Sequence, residues 1–431
     1  MRRLPPLLTT AATSFAALGC YGAAVPVETA DAVPAGTAQS APAAPAAAAR
    51  QIHYRQFDSG AELRTGSAPK LRIDQGRMSI DPAARDLQTR RLGGTRYESA
   101  GWQSPWVEPG FAFTQLIPSW SATTPDDSFV EVFVRGREGR RTGSWDLMAR
   151  WTSGDQHLER TTDSGQDDDL GDVNVDTWRA RGTVTGYQLR VVLHRRAGTD
   201  AAVAVDTIGA VASRLPDSAP GTSEPGVARG RVLDVPRYSQ MVHKGHSPQW
   251  GGGGEAWCSP TSTSMVLAYY ESLPAPRWYR WVGKGHVDPW VDHAARMTYD
   301  HDYDGTGNWP FNTAYAAPRA GKAFVTRLRS LREAERFIAA GIPLVASVSF
   351  GSGELDGAPI GSTAGHLLVI VGFTQSGDVV VNDPAAETRK GVRRTYDRGQ
   401  LEDAWLNGSG GLVYVIRDTA HPLPKRSPGN W

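Results

Sequence analysis

From residue 51 to residue 214 the chain sets apolar side chains on alternate positions and carries no long helical run, which constrains its fold more than any other feature. Phe129, Val130, Val132 and Val134 surround Glu131 and Arg135, and Tyr187, Leu189, Val191 and Leu193 repeat the spacing between turn-rich gaps. Successive strand residues face opposite sides of a sheet, so a period of two marks strands with one buried face. Many such strands without helices predict an all-β sandwich, jelly-roll-like, over 51–214. The 14 tryptophans are a surplus for 431 residues. They suit sheet cores first, and flat sugar or peptide surfaces second.

The pattern changes after residues 215–230, where Pro216, Pro220, Gly221, Pro225 and Gly226 mark a linker. Beyond it the sequence predicts helices near 260–271, 331–340 and from Asp397 to about Leu406. Strands are predicted near 344–350, 366–374, 379–381 and 412–416. Ser330 and Glu333 have the spacing of a capping box, and Gly341 is placed to end that helix. A helix followed by antiparallel strands is an α+β layout, assigned to 231–420 and followed by a tail, 421–431.

At the other end, Arg2 and Arg3 precede an apolar run from Leu4 to Leu18 and small residues at Gly22, Ala23 and Ala24. This is the pattern of a signal peptide, 1–24, followed by an Ala/Pro-rich linker, 25–50. It predicts a secreted, extracellular or cell-wall-associated protein with no transmembrane segment once the signal is removed. Ala17-Leu18-Gly19-Cys20 resembles a lipoprotein box, so lipid attachment at Cys20 is a further expectation. With 46 basic and 45 acidic side chains and no basic patch, electrostatic binding of nucleic acid is not expected.

Removal of the signal leaves one cysteine, Cys258, which cannot be an internal staple. It follows Gly251–Gly254 and precedes Pro260, Met265, Val266 and Leu267, the start of a helix, whose positive end stabilises a thiolate. A catalytic thiol needs a base, an orienting group and oxyanion donors. His366, in Gly365-His366-Leu367-Leu368-Val369, is the polar residue of an apolar strand and the best base. Asp383, in Val381-Asn382-Asp383-Pro384, supplies a carboxylate on the partner strand. With Ser376-Gly377 as a two-residue turn, His366 faces residue 387 and Asp383 lies four positions away on the same face, about 13 Å along a flat strand. Asn382 falls on the other face.

Tyr238-Ser239-Gln240, Trp257-Cys258-Ser259-Pro260-Thr261-Ser262, Gly365-His366 and Asn382-Asp383-Pro384 together resemble the papain-like cysteine peptidases of the bacteriocin-processing type, peptidase family C thirty-nine, over about 232–417. The resemblance implies a papain-like domain in which Cys258 is the nucleophile, His366 the general base and acid, and Asp383 the imidazole's support. The Cys258 amide and the Gln240 side chain would meet the oxyanion, with Gln249 the alternative glutamine. Ser259 stands where many relatives have glycine. No transporter segment accompanies the domain, so leader processing does not carry over.

The function expected is therefore a secreted cysteine peptidase acting on peptides or proteins through a thioester, with no cofactor. The alternatives are a thiol-dependent acyltransferase or cell-wall amidase, and a non-catalytic cell-wall or carbohydrate binder whose sandwich uses Trp102, Trp106 and Trp120. Trp257, Asn308 and Trp309 are expected at the substrate, the last two in a cleft-lining loop. Asp300-His301-Asp302-Tyr303-Asp304-Gly305 opens like a calcium loop but has Phe311 where the bidentate glutamate belongs. Asp167-Asp168-Asp169 reads as a solvated turn. His243, His246, His286 and His293 lack a metal-ligand spacing and read as surface or loop residues, so no metal is expected.

Overall fold

The computed structural model describes residues 49–425 and 428–431. The predicted signal peptide, Cys20 and all but the end of the 25–50 linker lie outside the described residues. Within 51–214 two antiparallel sheets form. One runs Gly171–Asn174, Thr177–Val184, Phe113–Thr123, Ala204–Arg214, Arg77–Ile80, Leu71–Asp74, with Gln51–Phe57 also paired to Ala204–Arg214. The other runs Gln88–Leu92, Thr95–Gln103, Gly186–Arg196, Ser128–Glu138, Arg141–Thr142, with Asp146–Trp151 beside Ser128–Glu138.

The alternation sets this register: Leu189, Val191 and Leu193 stand opposite Val134, Val132 and Val130, all buried. Phe57 against Trp102 at 5.2 Å and Phe113 against Tyr187 at 5.8 Å join the two sheets edge to face. Trp102 and Trp120 are core residues, and Trp106 lies under the Arg135 and Arg137 guanidinium groups. Those three rings therefore do not form an open sugar-stacking platform. Glu131 is buried among Arg90, Arg150 and His194. Their charge and hydrogen bonds outweigh the upward push of burial and hold its carboxyl at about 2.

The C-terminal half folds around a six-stranded antiparallel sheet, in the order Lys322–Arg327, Leu412–Arg417, Leu344–Phe350, Thr363–Phe373, Val379–Asn382, Arg393–Tyr396. The Cys258–Tyr269 helix packs on it, with Ser262 Oγ donating to Leu367 O at 3.1 Å. Leu331–Ala339 and Arg398–Ser409 are also helical. Asp397 caps the latter through Gln400 N at 3.0 Å. The capping box at Ser330 does not form: Glu333 accepts from Arg329 N at 2.8 Å, and Leu331 N is taken by Glu402 at 2.7 Å. Two further helices, Pro289–Thr298 and Trp309–Ala320, lie outside the predicted elements, the second beginning in the 308–312 stretch read as a cleft-lining loop.

The 215–230 segment is a strap fastened to the C-terminal half. Glu335 accepts from Gly226 N at 2.8 Å and Ala228 N at 3.0 Å, while Arg398 donates to Ser223 O at 2.5 Å. The end of the chain is fastened too, with Asn430 buried and its Nδ2 donating to Arg327 O at 2.8 Å.

The halves share one continuous core. Phe311 meets Trp151 at 5.2 Å and Trp120 at 6.1 Å. Buried Arg327 donates to Gln115 at 2.5 Å and Ser213 at 2.9 Å. Asp300, first residue of the calcium-like stretch, is a staple: it accepts from Thr162 N at 3.0 Å, Thr162 Oγ1 at 2.9 Å and Asn308 Nδ2 at 2.9 Å. Its oxygens are spent on protein donors rather than left for a cation. Asp300→Ala strands these buried donors and is expected to cost about 3 kcal/mol, read by chemical denaturation followed with probes in both halves. The two probes should move together.

Candidate active site

Cys258 is the first residue of its helix and is partly exposed. Its own N–H belongs to the first turn, where no intrahelical acceptor exists. The approach is tight: a Cβ at Gly254 would lie 1.9 Å from His243 O, so only glycine lets the preceding turn pack there. Ser259 is accommodated by a 2.9 Å hydrogen bond with Tyr414 OH, both side chains buried.

His366 is buried near the start of the Thr363–Phe373 strand, and its Nε2 lies 2.8 Å from Asp383 Oδ1. That leaves Nδ1 to face the Cys258 sulfur, with which the imidazole interacts electrostatically. Asp383 is held in turn by Tyr396 OH at 2.7 Å on Oδ2 and Ala385 N at 3.0 Å on Oδ1. Asn382 is used elsewhere, donating to Pro236 O at 3.0 Å and accepting from Arg393 at 2.6 Å.

The 13 Å offset closes through two backbone features. The hairpin loop is longer than two residues, since Thr374 N bonds Asp378 O at 2.9 Å and Phe373 pairs with Val379. A register shift between Ile370 and Gly372 then pairs Val369 with Asn382. His366 consequently stands across from residue 385, and Asp383 is two positions away on the same face, about 7 Å along the strand. Side chains span that distance.

Electrostatics follow the geometry. Burial pulls the His366 pKa down, but the Asp383 charge and hydrogen bond, with the Cys258 sulfur, raise it to about 10. Burial pushes the Cys258 thiol up; the hydrogen bond and charge of His366, then the Leu367 and Ser259 amides, bring it below the ordinary thiol value. Burial opposes ionisation of Asp383, and the charge and hydrogen bond of His366 hold it low nonetheless. Both shifts favour a thiolate beside an imidazolium over the neutral pair.

Other predicted residues fall differently. Gln240 is buried, but its Nε2 donates to Glu255 O and its Oε1 has no hydrogen-bond partner among the described residues. Gln249 is exposed on another loop, beside His246 and Trp250. Trp257 is fully buried, donating to Trp250 O at 2.8 Å and packing with Val291 and Ala295. Asn308 is buried as a helix cap, accepting from Phe311 N at 3.0 Å. Of those three substrate candidates, Trp309 alone lines the cavity at Cys258.

That cavity, about 460 Å³, also contains Gly365, Ser347, Ser349 and Ser409. One wall comes from the sandwich: the 174–179 hairpin, with Val175 at φ 53° and Asp176 accepting from Trp309 N at 3.1 Å. The sequence reading missed this wall, because nothing in a local pattern reports which loop of one domain meets another.

Residues 232–412 match the Peptidase_C39 like family, and residues 53–213 match the Peptidase C39 N-terminal domain. Both matches are to C39 models, one in each half of the chain. A search of curated proteins finds no match. The two C39 matches cover the mixed half and the sandwich, so the hairpin wall is built from the C39 N-terminal domain itself. The C39-like match over 232–412 points to a cysteine peptidase.

Of the four histidines set aside in the sequence, His286 is exposed on a loop as read, but the others are not all surface groups. His243 and His293 are buried, and His243 and His246 converge on Asp292.

Proposed function

We propose that this chain is an exported cysteine peptidase with a papain-like C-terminal domain, in which Cys258 attacks peptide carbonyls, His366 moves the proton and Asp383 holds the imidazole. The observation carrying this reading is His366 held by Asp383, Nε2 2.8 Å from the carboxylate, and coupled electrostatically to the thiol at the helix start.

The thiolate adds to the carbonyl carbon, and negative charge moves to the oxygen, within reach of the first-turn N–H at Cys258. Collapse breaks the C–N bond as the His366 imidazolium delivers its proton to the leaving amine. The thioester is then attacked by water, one of whose protons passes to His366, releasing the acid and restoring the thiolate beside the imidazolium. Gln240 joins the oxyanion donors if its amide turns from Glu255 O toward the cleft. The sandwich hairpin narrows the entrance, which favours an extended peptide lying between the two domains.

The reading is tested with a peptide library, with and without an added amine, followed by mass spectrometry. Hydrolysed products that persist unchanged with amine present support the peptidase. Amine adducts in place of acids replace it with an acyltransferase, and no turnover of any peptide by a thiol-reactive protein sinks it.

A further inference from the structure

Behind the Cys258 segment, His243, His246 and Asp292 bring one ligand atom each to within 4.8 Å of one another. His243 Nδ1 lies 3.0 Å from one oxygen of Asp292, and His246 Nδ1 lies 3.0 Å from the other. The first contact is not a hydrogen bond: His243 is 0% exposed, yet neither ring nitrogen nor Asp292 Oδ2 has a hydrogen-bond partner among the described residues. Buried polar atoms left this way cost about 1–3 kcal/mol each, so the arrangement calls for something between them. We propose that His243, His246 and Asp292 form a binding site for a divalent transition metal, zinc first, which braces the turn that leads into the catalytic helix.

The donor set fits. Two imidazoles and a carboxylate suit zinc, whose ligand atoms at about 2.0–2.1 Å stand roughly 3.3 Å apart around a tetrahedron. Small side-chain rotations bring the three atoms to that spacing. His246 Nε2 lies 2.9 Å from His286 Nδ1, which supplies the outer hydrogen bond that fixes a metal-bound imidazole. His246 is 21% exposed and lines a surface cavity with His286, Gln249 and Trp250, giving the ion an entry path and a fourth position for water.

The site would tie two elements the chain holds far apart. His243 and His246 lie at and just after the Gln240–His243 turn, and Asp292 lies on the Pro289–Thr298 helix, which packs against the Cys258 helix. The His243 ring is 6.1 Å from Trp257, the residue before the nucleophile, and the His243 carbonyl presses on Gly254. The role inferred is structural, since none of these groups lines the cavity at Cys258.

The test is zinc titration of the full-length mature chain after chelator treatment, carried out on Cys258→Ser so that the thiol cannot compete. Its outcome is therefore independent of the peptidase reading. One equivalent should bind, with affinity falling at least about 100-fold in His246→Ala and about 10-fold in His286→Ala. Cobalt in place of zinc should give a tetrahedral spectrum without a sulfur charge-transfer band. No binding by Cys258→Ser, or binding unchanged in His246→Ala, overturns the proposal. Should His246→Ala fail to fold, the near-isosteric Asp292→Asn decides by the same two criteria.

Discussion

Cys258→Ala is expected to reduce peptide hydrolysis by about 10⁴-fold, to the residual rate that binding and oxyanion donors sustain, and His366→Ala by about 10²–10⁴-fold. The two variants separate in thiol chemistry, where the physical cause is visible. In the wild type burial pushes the Cys258 pKa up, and His366 together with the Leu367 and Ser259 amides brings it below the ordinary thiol value. Alkylation should therefore continue below the ordinary thiol range of about 8.5. Removing His366 leaves burial as the dominant influence, so labelling of His366→Ala should be confined to alkaline pH. Intact mass across a pH series reads both. Equal pH profiles in the two proteins would mean that the imidazole does not act on the sulfur, and the proposed mechanism would fail.

The thiol and the imidazole were legible in the sequence because each sits in a local context with a physical signature: a helix start after glycines, and one polar group in an apolar strand. Asp383 was legible in its face but not in its distance. The two-residue turn assumed at Ser376-Gly377 put it four positions from alignment, and a longer loop with a bulge makes that two. Bulges are set by long-range packing, and the Val232 bridge to Gly372 lies beside this one. The Ser330 capping box failed for a similar reason, since Glu402 from a distant helix supplies the acceptor at Leu331 N. The stretch 308–312 reads as a cleft-lining loop, yet it opens the Trp309–Ala320 helix. In the structure Pro310 falls in the first turn, where its missing N–H costs nothing. The histidine cluster left no spacing to read, because its carboxylate is 46 residues from His246.

Asp383→Asn is the more discriminating change, because it keeps the shape of the site and removes only its charge. The Oδ1 of asparagine can still accept, and Tyr396 OH can still find a partner, so the imidazole keeps its position but loses its counter-charge. Turnover should fall about 10²–10⁴-fold. The pH dependence should change as well. Asp383 is the largest influence raising His366 to about 10, so the alkaline limb of activity, near pH 10 in the wild type, should move to lower pH in the variant.

Stability carries the same signature with a defined sign. His366 has a folded pKa above its unfolded value of about 6.5, so its contribution is complete below that pH and is lost as pH rises through about 10. Asp383 has a folded pKa below its unfolded value of about 3.9, so its contribution is present above that pH and is lost as pH falls through the lowered value. The stability lost in Asp383→Asn, about 3 kcal/mol for breaking a buried pair, should therefore be greatest between about pH 4 and 6.5 and shrink toward pH 10. Denaturation curves at three pH values measure it, and a loss independent of pH would identify Asp383 as a packing residue rather than the partner of a charged imidazole.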